Sequence, residues 1–125
     1  MLHHLSIGVT DLDRSARFYD AILSALRYHR VWTDGTAVGY GIENRDDKFA
    51  IKLRSAPISV PDGFHVAFAA PDRSAVGAFH QAALTQGGSD DGEPGFRPQY
   101  GPDYHAAYVI DPDGWHVEAV IIGPS

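Results

Sequence analysis

Residues 2–9 alternate His3, Leu5, Ile7 and Val9 against His4, Ser6 and Gly8. A period of two with one apolar and one small or polar face predicts a half-buried strand. Thr10-Asp11 breaks the alternation and offers a helix cap, after which Leu12, Ala16, Tyr19, Ile22, Leu23 and Leu26 recur at helical spacing. Roughly residues 12–26 are therefore expected to form an amphipathic helix whose stripe covers a sheet. Three short strands are expected next, Tyr28 to Trp32, Ala37 to Ile42 and Phe49 to Arg54, with turns at Asp34-Gly35 and Asn44-Arg45-Asp46-Asp47. Residues 55–63 hold two prolines and a glycine and read as a linker.

The order then starts over. Phe64, Val66, Phe68 and Ala70 alternate with His65, Ala67 and Ala69, and Asp72 caps a helix carrying Val76, Phe79, Ala83 and Leu84. Gly87-Gly88 ends that helix, as glycine after a last helical residue commonly does. Residues 89–102, rich in glycine, proline and acid, are expected to be a loop or a broken strand. Tyr104 to Ile110 and Trp115 to Ile122 are two strands joined by Asp111-Pro112-Asp113-Gly114, read as a pure turn signal. His80 on the helix and His29 on a strand are both expected in solvent.

The two halves can be superposed. At a shift of 61 residues His4 falls on His65, Asp11 on Asp72, Phe18 on Phe79 and Ala21 on Ala82; at a shift of 66, Lys52 falls on Glu118. The expectation is an α+β domain over residues 1–125, built from two βαβββ modules, 1–58 and 62–125, as a curved mixed sheet around a cleft with the helices outside. By parity His4, Lys52, His65 and Glu118 project from the face opposite the helices.

Composition narrows the chemistry. With 125 residues and 44% hydrophobic content the chain suits one folded domain, and no apolar run approaches a membrane span. No secretory leader pattern opens it, so the expected location is the cytoplasm. The absence of cysteine removes thiolate ligands and nucleophiles. A net charge of −6 without a basic cluster argues against nucleic acid and leaves a small molecule as the expected partner.

Two imidazoles and one carboxylate form a 2-His-1-carboxylate set able to hold divalent iron, manganese, zinc or nickel while leaving positions open for substrate. That makes His4, His65 and Glu118 the candidate metal ligands. Lys52 stands where a second carboxylate would complete the repeat. It either faces away from the ion, receives a substrate anion, acts as a base after losing its proton, or pairs with Glu118 in a metal-free pocket. Tyr104 and Tyr108 share one face of a strand, with Ala106 between them as a gap for a flat ligand. Trp32, Tyr40 and Tyr100 are further pocket-lining candidates.

The duplicated strand-helix-three-strand unit resembles the vicinal oxygen chelate superfamily. The resemblance rests on His4 and His65 at the start of each module's first strand, Phe18-Tyr19 on the first helix, and Asp111-Pro112-Asp113-Gly114 before a strand carrying Glu118. That superfamily includes glyoxalase I, extradiol dioxygenases, fosfomycin-resistance enzymes and bleomycin-binding proteins. It implies metal ligands at His4, His65 and Glu118, with Lys52 departing from the fourth ligand position. Glyoxalase I chemistry needs a basic carboxylate where Lys52 stands. Fosfomycin-type chemistry suits the ligand set, with Ser6 and Tyr108 at its hydroxyl and tyrosine places, but its cationic clamp lies beyond the last strand, where this sequence has Ile121-Ile122-Gly123-Pro124. Dioxygenase chemistry would draw acid-base groups from Tyr104, His105, Tyr108 and His116. The resemblance therefore implies a metal-dependent lyase, isomerase or dioxygenase acting on a small oxygenated molecule. The alternative is a metal-free binding protein for an aromatic compound or antibiotic, of the bleomycin-resistance type. A homodimer is expected, in which a site could borrow His4 from the partner.

Overall fold

Each half of the chain folds into the same run of elements, with polar caps setting where each helix begins. The computed structural model describes residues 1–123, so the last two residues of the expected second module lie outside the described range. The first module comprises β1 (Leu5–Val9), α1 (Leu12–Ala25), β2 (His29–Thr33), β3 (Ala37–Gly41) and β4 (Asp47–Leu53). The second comprises β5 (Val66–Ala69), α2 (Arg73–Thr85), β6 (Ser89–Phe96), β7 (Tyr104–Ile110) and β8 (His116–Ile122). The strands form two four-stranded mixed sheets, in the orders β1-β4-β3-β2 and β5-β8-β7-β6. β1 runs parallel to β4 and β5 parallel to β8, while the remaining pairs are antiparallel.

The repeat is visible at the helix ends. Asp11 accepts a hydrogen bond from the Arg14 backbone N–H, and Asp72 accepts one from that of Ala75. These caps satisfy donors that the helix itself leaves open. At the other ends the Tyr28 N–H reaches the Leu23 carbonyl and the Gly88 N–H reaches that of Ala83, closing both helices the same way. This closure demands a left-handed residue just before the donor. The second module supplies Gly87 at φ 93°, but the first supplies Arg27 at φ 69°.

α1 and α2 pack against one another, each over its own sheet. Phe18, Tyr19, Ile22, Val76, Phe79 and Ala83 are completely shielded and join Val9, Ile51, Val109 and Ala119 in one hydrophobic cluster spanning both modules. Phe18 and Phe79, equivalent in the repeat, thus occupy equivalent core positions. Among the described residues no helix is long and apolar enough to cross a membrane.

Three expectations change, and of the loop or broken strand expected over residues 89–102 the second alternative holds. β1 begins at Leu5, leaving His4 just ahead of the strand. Residues 89–96 form a strand, but its register shifts against β7 at Asp90/Gly92 and Gly92/Gly95, where glycines accommodate the extra residues. His80 is 8% exposed rather than solvated, because its Nε2 lies 2.8 Å from Asp90 Oδ1 across the α2–β6 contact. The Asp111–Gly114 segment does more than turn. Buried Asp111 accepts from the Tyr19 hydroxyl at 2.5 Å and from the backbone N–H groups of Asp113 and Trp115. Asp113 accepts from the Thr10 hydroxyl at 2.6 Å and from Arg14 Nη2 at 3.1 Å, while the Trp115 indole donates to the Gly8 carbonyl at 2.8 Å. The hairpin of one module is therefore fastened to the strand–helix junction of the other.

Candidate functional site

Alternation along β7 and β8 decides which side chains can meet on the open face of the second sheet. Register pairs Tyr108 with Glu118, and Tyr104 has the same parity as Tyr108. Glu118 is only 1% exposed, a costly position for a carboxylate unless its oxygens find partners. They do. Oε2 accepts from the Tyr104 hydroxyl at 2.5 Å, and Oε1 lies 3.2 Å from His65 Nε2. His65 stands just ahead of β5, and its side chain is 57% exposed, so the pair has one buried and one open member.

Around this pair lies an open cleft of ≈ 680 Å³, walled by Tyr104, Tyr108 and His116 from β7 and β8, by Tyr100 from the β6–β7 connection, and by residues Val60 to Phe64 ahead of β5. That volume suits a small organic ligand. The Tyr100 and Tyr104 rings lie 5.3 Å apart and tilted at 59°. His116 Nδ1 is 3.0 Å from Asp91 Oδ2, which fixes the ring on the cleft wall. Burial, followed by the bond to Glu118 and its charge, raises the Tyr104 pKa; burial and then the Glu118 charge raise that of Tyr108. Both phenols keep their protons at neutral pH. They are donors facing a carboxylate acceptor.

Six of the twelve expected site residues meet here: His65, Tyr100, Tyr104, Tyr108, His116 and Glu118. His4 does not join them. Its Nδ1 contacts His3 Nδ1 at 2.9 Å, and among the described residues no three His, Asp or Glu side chains converge as an ion-binding group. Ser6, Trp32 and Lys52 lie on the first sheet, whose open face is separate from this cleft. Lys52 makes no bond to Glu118, and its expected equivalence with Glu118 fails by two residues. Gly8 pairs with Lys52 and Ser6 with Ala50, whereas Ala67, the counterpart of Ser6 at a shift of 61, pairs with Glu118. Ala50 is thus the register counterpart of Glu118. Aligning the strand ends alone concealed the slip, because a two-residue shift preserves the face.

Two more expectations are corrected. Tyr40 is 1% exposed, buried in the core with its hydroxyl donating to Asp20 at 2.9 Å, and is not among the residues that wall the Glu118 cleft. His105 has the opposite parity to Tyr104 and contacts the Phe96 ring at 5.0 Å. Burial first, then the Arg73 charge, depresses its pKa. The gap between the tyrosines is also filled. Ala106 is fully buried and pairs with Gly95 on bulged β6, while the Arg97 guanidinium sits 5.2 Å above the Tyr108 ring. Two cleft elements are not among the expected site residues: Asp91, in an acid-rich stretch expected as a loop or a broken strand, and the wall formed by residues 60–64. For Asp91, the available signal was the change of shift from 61 to 66, which gives the second half five extra residues between its helix and its last strand.

The family model for the Glyoxalase/Bleomycin resistance protein/Dioxygenase superfamily matches residues 1–119. The chain belongs to that superfamily. It is similar to a glyoxalase/bleomycin resistance protein from Albidiferax ferrireducens T118, with 31% identity, a TM-score of 0.82, and coverage of 94% of this chain and 95% of that one. Glyoxalase I from Zea mays matches at 26% identity and TM-score 0.72 over 95% of this chain, which spans 45% of the maize protein. A glyoxalase-related enzyme from Fulvimarina pelagi, 21% identical with TM-score 0.73 over 96% of this chain and 86% of that one, shares the fold. No curated protein matches the sequence.

Proposed function

We propose that this superfamily member is a metal-dependent enzyme of the glyoxalase/dioxygenase type, acting on a small oxygenated molecule that chelates a divalent ion through two oxygens. The observation that carries the reading is the His65–Glu118 pair, 3.2 Å apart on the wall of an open cleft. An imidazole nitrogen and a carboxylate oxygen at that spacing are two donors of a 2-His-1-carboxylate set, and with no cysteine present the set suits iron, manganese, zinc or nickel. The residues fit such an ion as a half-site. We assign the third donor to His4 of a second copy, since His4 lies outside the cleft of its own chain. A homodimer is therefore part of the proposal.

When bound, the ion would act as a Lewis acid that polarises a substrate oxygen. The remaining work belongs to this chain. Tyr104 holds Glu118 Oε2 and so orients Oε1 toward His65. Tyr108, across from Glu118 and protonated, can donate to a ligand oxygen in the cleft. His116, anchored by Asp91, can move a proton at the cleft wall. Lys52 has no part in this arrangement.

Titration of the metal-free protein with Co(II), Zn(II) and Mn(II) tests the reading: one ion per chain is expected, with binding lost in Glu118→Ala. A specific observation also favours a metal-free binding protein for an aromatic compound or antibiotic. Both Glu118 oxygens already have partners, and three tyrosines line the cleft. Absence of ion binding combined with uptake of a planar aromatic compound, lost in Tyr104→Ala, would select that reading.

A further inference from the structure

β6 is the edge of the second sheet, and its ladder to β7 is broken beside the cleft. Asp90 pairs with Val109 and Gly92 with Tyr108, while Asp91 has no partner on β7. Asp91 is thus the extra residue of a bulge, and a bulge turns a side chain out of its regular direction. Here it sends the carboxylate to the cleft wall, where Oδ2 stands 3.0 Å from His116 Nδ1. Backbone pairing beyond the bulge is sparse as well. The next register pair is Gly95 with Ala106, and Pro94 has no N–H to give.

Asp90 fixes this stretch from the helix side of the sheet. Its Oδ1 accepts from the Gly92 N–H at 3.1 Å, which closes the bulge, and lies 2.8 Å from Nε2 of buried His80 on α2. The His80 contact, followed by the Gly92 N–H, holds the Asp90 carboxyl below its usual range, so the acceptor is charged. His80 is itself set in a helix whose Phe79 and Ala83 are completely shielded in the core. Gly92 also lies against the Tyr108 ring, since a Cβ there would come within 2.8 Å of Tyr108 Cδ2. Displacing residues 90–92 would therefore reach both His116 and Tyr108.

We infer that His80 and Asp90 are positioning residues for the cleft: the buried imidazole holds β6 through Asp90, and β6 holds His116 through Asp91. Two histidine–aspartate pairs, one on each side of the strand, form a single link from α2 to the cleft wall. The inference rests on the reading of His116 as the group that moves a proton there, because an imidazole whose Nδ1–H faces a carboxylate keeps Nε2 free to accept a proton.

The test reads which nitrogen of His116 carries the proton, by long-range proton–nitrogen NMR correlations on the neutral rings of the metal-free chain, with His116→Gln assigning the signals. Wild type is expected to carry it on Nδ1, facing Asp91, and Asp91→Ala to carry it mainly on Nε2. His80→Leu and Asp90→Ala should show the same move to Nε2, although neither residue is bonded to His116. His80→Gln, which keeps a side-chain N–H for Asp90, should keep Nδ1–H. The Asp90 side chain is 50% exposed, so its variant reports the link even where His80→Leu fails to fold. Retention of Nδ1–H in Asp90→Ala and in folded His80→Leu, with its loss in Asp91→Ala, would overturn the inference. So would an unmoved proton in Asp91→Ala, or a His80→Gln protein that behaves as His80→Leu, since packing and not the bond would then hold the strand. No ion or substrate enters the measurement, so these outcomes bear on the link alone, and absence of Co(II) binding bears on the metal reading alone.

Discussion

At the residue scale, the two modules carry an internal control for backbone strain. Arg27 occupies the left-handed position that Gly87 occupies in the second module. A side chain there costs roughly 1–2 kcal/mol, partly offset by the extra freedom glycine gains on unfolding. The Arg27–Asp72 pair adds little, because the arginine side chain is 70% exposed. Arg27→Gly is therefore expected to stabilise the protein by about 0.5–1 kcal/mol, read from urea unfolding, and Gly87→Ala to destabilise it by a similar amount. The same comparison applies at the site. If Tyr104 orients the carboxylate, Tyr104→Phe should weaken divalent ion binding about tenfold, within the range for partners of metal ligands. Tyr100→Phe, whose hydroxyl has no bond to Glu118, should leave binding unchanged.

At the element scale, the β7–β8 hairpin is the joint between modules, and its two aspartates make separate predictions. Asp113 links Thr10, Arg14 and, at 3.4 Å, Ser15 Oγ, and only 5% of its side chain is exposed. Asp113→Ala strands these donors and should cost about 1–3 kcal/mol. Asp111 is held above the usual carboxylate range chiefly by burial, despite its bonds to Tyr19 and two backbone N–H groups. A raised native pKa means that its contribution is fully present below the unfolded value and is lost as pH rises through the native one. Wild type should therefore lose stability relative to Asp111→Asn over that interval, and the difference should level off above it. Unfolding curves at a series of pH values check both the sign and the plateau.

How much of this was legible follows from the same elements. Strand and helix order, both caps and the apolar stripes were readable because period and capping are local properties. Register is not local. The Lys52–Glu118 correspondence failed because the strand parity was right while the pairing across β1 and β5 differed by two residues. Tyr40 and His105 were misassigned for a related reason: tyrosine and histidine suit either face of a strand, and only the packing of α1 and α2 shows which face is covered. The second half of the site was legible as a histidine and a glutamate, but their tyrosine and linker surroundings required the tertiary fold.

At the scale of the whole molecule, the proposed metal site divides its ligands between copies. One chain provides His65 and Glu118 in a cleft and leaves His4 elsewhere. A two-fold dimer that joins the first module of one copy to the second module of the other would hold two equivalent sites. The most direct test is subunit mixing. His4→Ala and Glu118→Ala homodimers should each bind divalent ions weakly. After co-refolding in equal amounts, half the dimers are mixed, and each mixed dimer has one site with both ligands missing and one intact. About a quarter of wild-type binding capacity should therefore return at wild-type affinity, measured by titration with Co(II). No recovery on mixing, despite mixed dimers detected by mass, or wild-type affinity in the His4→Ala homodimer, would contradict a site shared between copies.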